Sequence, residues 1–74
     1  MVGVVSLKVL RAAKKVEDRE GYFTISQVSS ELRMSDNAVK SRIIYLMKRG
    51  YIVRVDRGCY KLTKKALEIV KKFE

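Results

Sequence analysis

The residues with the clearest chemistry in this 74-residue chain are its cations, which are unevenly distributed. Residues 33–65 contain ten Lys and Arg but only two carboxylates, Asp36 and Asp56, so this segment carries +8 of the chain's net +9. Concentrated positive charge attracts phosphate groups with salt-dependent affinity. A solvated surface and a thermophilic, Lys-rich composition are the alternatives. A block of this size is better explained by an anionic partner.

Most catalytic chemistry is excluded by residue types that the chain lacks. It has no His and a single Cys, Cys59, so His general bases and His- or Cys-based metal cages are ruled out. The acidic cluster of Glu17, Asp18 and Glu20 indicates a solvated helix end, and no Gly-rich phosphate loop is present. We therefore expect no enzyme, no metal and no cofactor, and we interpret Cys59 as an unreactive residue near a turn.

The length predicts one domain, residues 1–74, because a second would have no room for a core. Hydrophobic residues make up 47% of the chain, which is typical of a globular protein. No apolar run approaches the ~18 residues of a membrane span, and the N-terminus lacks the basic start of a signal peptide. We therefore expect a cytoplasmic, nucleoid-associated protein with no membrane partner.

The first predicted helix, residues 4–18, has more apolar surface than one face can bury. Gly21 follows it as a stop signal. Its predicted core face, at helical spacing, consists of Val5, Val9, Ala12, Ala13 and Val16. The apolar residues left off that face are Val4, Leu7 and Leu10. These leftover residues either cover a groove of the same domain or form a dimer seam.

Two short helices are predicted next, separated by a tight turn. Residues 22–24 are aromatic and β-branched and could form an edge strand. Thr24 and Gln27 have the spacing of a capping box, which predicts a helix over residues 25–33. Ser35 is the N-cap of a further helix over residues 36–49.

The helix over residues 36–49 has two contrasting faces. Its inward stripe is Val39, Ile43 and Leu46. The outer and flanking positions are small-polar, amide, basic and aromatic: Asn37, Lys40, Ser41, Arg42, Ile44, Tyr45 and Lys48.

The remaining segments predict a hairpin and a final helix. Residues 51–62 form a β-hairpin around Arg57-Gly58, in which Val53 and Val55 face the core while Arg54 and Lys61 face outward. Thr63 caps a helix over residues 64–73.

Taken together, Ile25–Leu32, Ser35–Ile43, Leu46–Ile52 and Tyr60–Thr63 resemble the winged helix-turn-helix regulators of the MarR and ArsR type. The resemblance covers roughly residues 22–66, and it implies an α+β, mainly α fold. That fold has a three-helix core, a short two- to three-stranded β-wing and a C-terminal helix. In this family the second helix of the pair enters the major groove and the first crosses the phosphate backbone.

The resemblance implies a set of DNA-binding residues on three elements. Asn37 could contact adenine, Lys40 guanine and Ile44 a thymine methyl. Asp36 is interpreted as a helix-start charge, or as an acceptor for a cytosine amino group. Arg42 packs against the domain or reaches phosphate. The full predicted set is Thr24, Ser26, Gln27, Asn37, Lys40, Ser41, Arg42, Tyr45, Lys48, Arg54, Arg57 and Lys61.

We therefore predict a sequence-specific double-stranded DNA-binding transcription regulator, acting as a homodimer and with no evident small-molecule ligand. The predicted dimer seam consists of Val4, Leu7, Leu10, Leu67 and Phe73. The alternatives are a non-specific DNA-coating or architectural protein, and a winged-helix protein-interaction module in a transcription or replication assembly.

Overall fold

Four helices and two strands run through residues 3–73, the part of the chain that the computed structural model describes. They are α1 Val4–Glu20, α2 Ile25–Leu32, α3 Asp36–Lys48, β1 Ile52–Asp56, β2 Cys59–Leu62 and α4 Lys64–Lys72. The strands form an antiparallel two-stranded sheet. This is the predicted mainly helical winged helix-turn-helix fold, with a wing and a C-terminal helix.

The core-facing side of α1 is rotated relative to the prediction. Leu10 is fully buried, whereas Val5 is 41% exposed. The helices α2, α3 and α4 and the strand β2 all pack on α1, so its buried face extends to Leu10. The assignment of Leu10 to a dimer seam is therefore wrong, since its side chain is already used inside the domain.

The other predicted seam residues differ in exposure. Val4 is 72% exposed and Phe73 is 57% exposed. Leu7 is half-buried, and Leu67 packs partly against the core. Two strongly exposed apolar side chains, one near each end of the described chain, thus remain available to a partner.

Residues 22–24 do not form the predicted edge strand. Phe23 alone makes an antiparallel bridge to Tyr60, with both N–H···O distances at 2.9 Å. The two rings stack with centroids 5.9 Å apart, and the Phe23 side chain is fully buried. This bridge attaches the segment between α1 and α2 to the outer edge of β2.

The register of the wing differs from the prediction because β1 contains a bulge. Asp56 pairs with Cys59 across the tip, but Arg54 pairs with Tyr60, so Val55 is an extra residue on its strand. This shift turns Val53 away from the core. Val53 and Val55 are 44% and 51% exposed, so the predicted inward orientation of these two valines is wrong. Leu62 is buried, and its cross-strand partner is Ile52.

The wing is attached to the helices by side-chain hydrogen bonds. The Leu62 amide donates to Glu17 Oε1 at 2.8 Å, joining β2 to α1. The Thr63 hydroxyl donates to the Gly50 carbonyl at 2.7 Å and accepts from the Ala66 amide at 3.3 Å. Thr63 thereby caps α4 and fixes the loop between α3 and β1.

Replacing Thr63 with Val should lower the free energy of unfolding by about 1–2 kcal/mol, because it removes both the N-cap and the bond to Gly50. Thr63→Ser keeps the hydroxyl and should retain most of the stability. Urea denaturation followed by circular dichroism measures both variants. Equal losses for Val and Ser would mean that the hydroxyl contributes nothing.

Candidate nucleic-acid interface

The helix α3 buries one stripe and exposes the other. Val39, Ile43 and Leu46 are at most 1% exposed. The Ser35 hydroxyl accepts from the Ala38 amide at 3.2 Å, which starts the helix as predicted. The exposed residues of α3 from the predicted site are Asn37, Lys40, Ser41, Tyr45 and Lys48.

Asp36 is engaged in a contact that the sequence did not reveal. The Ser29 hydroxyl of α2, which lies 3.0 Å from the Ser26 carbonyl, donates to Asp36 Oδ1. Ser29 is only 5% exposed. This bond links the two helices of the helix-turn-helix next to their turn, so Asp36 has a structural partner besides its place at the start of α3.

The N-terminus of α2 has the predicted capping box. The Thr24 hydroxyl accepts from the Gln27 amide at 3.2 Å, and Gln27 Oε1 accepts from the Thr24 amide at 3.0 Å. Thr24 and Gln27 are half-buried, while Ser26 is exposed. The two capping side chains are therefore held in fixed positions at a helix start, where free amides favour an anion.

Three side chains about one turn apart form a stripe along one flank of α3, with Arg49 at the C-cap of the helix. The Arg42 guanidinium carbon lies 5.7 Å from the centroid of the Tyr45 ring, and that of Arg49 lies 5.1 Å from it. Arg42 is half-buried and its Nη1 donates to Ser6 of α1 at 3.5 Å. Arg49 was not among the predicted site residues, although its spacing of four from Tyr45 is the signal that could have revealed it.

The wing carries the remaining predicted cations. Arg54, Arg57 and Lys61 are all exposed. The Asp56 carboxylate accepts from the Arg57 amide at 2.7 Å at the tip, and Arg54 Nε donates to the Asp56 carbonyl at 3.4 Å. Side-chain contacts within residues 3–73 join Thr24 to Gln27 and Arg42 to Tyr45, whereas the other candidates lie separately along exposed faces.

The positive charge of residues 33–65 is not neutralised by ion pairs. None of its ten cations pairs with a carboxylate of residues 3–73. The ion pairs Lys14–Asp18 and Lys15–Glu31 involve α1 instead. The hydrogen bond and the charge of Lys15 lower the pKa of Glu31. The positive electrostatic potential of residues 33–65 is therefore exposed to solvent.

A cleft of about 240 Å³ between α1 and α2 is lined by Lys8, Arg11, Ala12, Lys15, Glu31 and Leu32. Within residues 3–73, no three acidic or Cys side chains come together in a group that could hold a metal ion. The helices of this same region are too short or too polar for one to cross a membrane.

No protein-family model matches the chain, and no curated protein matches it. Two solved structures are similar. T. acidophilum IdeR has a TM-score of 0.91 and 22% identity, over 99% of this chain and 34% of the IdeR chain. Streptococcus pneumoniae FabT in complex with DNA has a TM-score of 0.78 and 28% identity, over 97% of this chain and 52% of the FabT chain.

The chain therefore spans about a third of IdeR and about half of FabT. Both contain the winged-helix fold, and the FabT structure includes DNA. Agreement over nearly all of this chain extends from α1 to α4 and includes the wing. The chain thus has the winged helix-turn-helix fold that these two structures contain.

Proposed function

We propose that the chain is a sequence-specific double-stranded DNA-binding transcription regulator and not an enzyme. The observation that carries the proposal is the polar and basic outer face of α3, which is exposed while the opposite stripe is buried. An α-helix fits the major groove of B-DNA. The FabT structure, which contains DNA, supports the same partner for this chain. Such a regulator works on the DNA of the cell, in the cytoplasm.

The proposed contacts fall into two groups. Asn37, Lys40 and Ser41 read base edges in the major groove, with Asn37 suited to adenine and Lys40 to guanine. The other contacts go to the phosphate backbone and set the register of the protein on DNA. This backbone group consists of Thr24, Ser26, Gln27, Arg42, Tyr45, Lys48, Arg54, Arg57 and Lys61.

Fluorescence anisotropy at ~150 mM salt tests the proposal with two duplexes of equal length. One comes from upstream of the protein's own gene, and the other is its scrambled sequence. We expect the upstream duplex to bind at least ~10³-fold more tightly. Equal binding would favour an architectural protein, and no binding to either would favour a protein-interaction module.

Replacing Arg57 with Ala should weaken binding to both duplexes by the same factor. A phosphate contact by the wing tip would release counterions, so its loss should lower the slope of log affinity against log salt by ~0.9. Lys71→Ala removes the same charge from the last turn of α4 and serves as the control. Parallel slopes for parent and Arg57→Ala would exclude a phosphate contact there.

We further propose that the protein binds DNA as a homodimer. Val4 and Phe73 support this, because they expose large apolar side chains that a second subunit could cover. A dimer reads two half-sites about one helical turn apart. Sedimentation equilibrium should give twice the chain mass, and a monomer at all concentrations would contradict the proposal.

A further inference from the structure

The stripe of Arg42, Tyr45 and Arg49 has a geometry that suits an anion. Both guanidiniums lie within 6 Å of the Tyr45 ring, one towards each end of the stripe. A guanidinium held at an aromatic ring loses little of its hydrogen-bonding capacity, because its donors form a planar fork. Tyr45 is 42% exposed, so part of its side chain is open to solvent next to both cations.

Neither guanidinium of the stripe is neutralised by the protein. Arg42 and Arg49 pair with no carboxylate among residues 3–73, and the Arg42 side chain makes one long bond, to the neutral Ser6 hydroxyl. Two cations are thus held at a single ring without a counter-charge. An oxyanion that reached both guanidiniums would accept charge-assisted hydrogen bonds from each.

From this geometry we infer that the stripe is a clamp for one DNA phosphate, and that Tyr45 is its positioning residue. Arg42 and Arg49 bind the phosphate oxygens, and the Tyr45 ring fixes their guanidiniums in place. This inference rests on the proposed function and assigns Arg49 a role there. It also separates α3 into two parts, a base-reading part at Asn37, Lys40 and Ser41 and an anchoring flank.

In the clamp, the ring of Tyr45 positions the two guanidiniums, and its hydroxyl is not required. A Tyr that read a base would do so through its hydroxyl, and Phe would then change the sequence preference. A Tyr that only positions two guanidiniums is replaceable by Phe, because Phe keeps the aromatic face. Leu fills a similar space on α3 without that face, so it should release both Arg side chains.

The two duplexes described above, titrated over a range of salt, test the clamp with four variants. Arg49→Gln removes one of the two cations, so it should lower the salt slope by at most ~0.9 and weaken binding by at most roughly fivefold at ~150 mM salt, the counterion factor for one phosphate. Tyr45→Leu should weaken both duplexes at least as much. Tyr45→Phe keeps the ring and should weaken binding less than Tyr45→Leu does, and Lys71→Gln, the control on α4, should match the parent. Thermal melting monitors folding, which these substitutions should preserve because the three side chains they replace are exposed.

Three results would overturn the clamp. One is a Tyr45→Leu variant with the parent's salt slope. Another is a Tyr45→Phe variant whose ratio of upstream to scrambled affinity changes, since the hydroxyl would then read sequence. If the parent protein binds neither duplex, both the proposed function and the clamp fail. If the parent binds and only the Tyr45 and Arg49 results disagree, the clamp alone fails.

Discussion

Replacing Phe23 with Ala should lower the free energy of unfolding by about 3–5 kcal/mol. Phe23 is fully buried, and its ring stacks on Tyr60. Truncation loses the transfer free energy of the ring and leaves a cavity that the surrounding helices cannot close. A 74-residue domain has a total stability of about 4–11 kcal/mol. The expected loss is therefore a large share of the total stability, and a parent near the lower end of that range would unfold.

Urea denaturation of the parent and Phe23→Ala measures this loss, and circular dichroism reports the helices directly. Tyr22→Ala provides the matched control, because it removes an aromatic side chain from the adjacent position, which is 37% exposed. Tyr22→Ala should lower the free energy of unfolding far less, since most surface substitutions change it by about 0.5 kcal/mol or less. Comparable losses at the two positions would show that the buried Phe23 ring does not anchor this segment.

Replacing Asn37 with Ala should lower the ratio of specific to random DNA binding by about 1–3 kcal/mol, or roughly 5- to 150-fold. Asn37 is exposed in the first turn of α3 and suits a bidentate contact to adenine. Ala has a higher helix propensity than Asn. The substitution should therefore leave the fold intact, and the lost affinity can be assigned to a base contact.

The measurement is a set of duplexes in which each base pair of the bound site is changed in turn. The parent should discriminate at one A·T pair where Asn37→Ala no longer does, while both proteins bind scrambled DNA equally. Ser30→Ala, an exposed position on α2, controls for the loss of a polar surface group. An unchanged discrimination profile would remove Asn37 from the base-reading set.

The sequence predicts the local features of this fold well. The capping box at Thr24 and Gln27, the N-caps Ser35 and Thr63, and the turn at Gly58 all depend on residues within four positions of one another. Such short-range patterns are visible in the sequence because the backbone geometry of a helix start or a tight turn selects particular residues. The order of the elements follows from them.

The errors and omissions arise where distant parts of the chain meet. The bulge at Val55 shifts the strand pairing by one residue, which exchanges the two faces of β1 but leaves those of β2 as predicted. Leu10 is buried because four other elements pack on α1. The bonds from Leu62 to Glu17 and from Ser29 to Asp36 join residues 45 and seven positions apart. Hydrophobic periodicity alone contains no information about these contacts.

The bulged wing also has consequences for how the protein behaves at high concentration. Within residues 3–73, β1 pairs only with β2, so its other edge offers free backbone groups beside exposed Val53 and Val55. Such an edge is a template for strand pairing between molecules. Arg54 and Asp56 alternate with the two valines, and charges on an edge oppose that pairing. Because salt screens charge, concentrated salt should weaken the protection that these charges give against aggregation. The same salt should also weaken DNA binding.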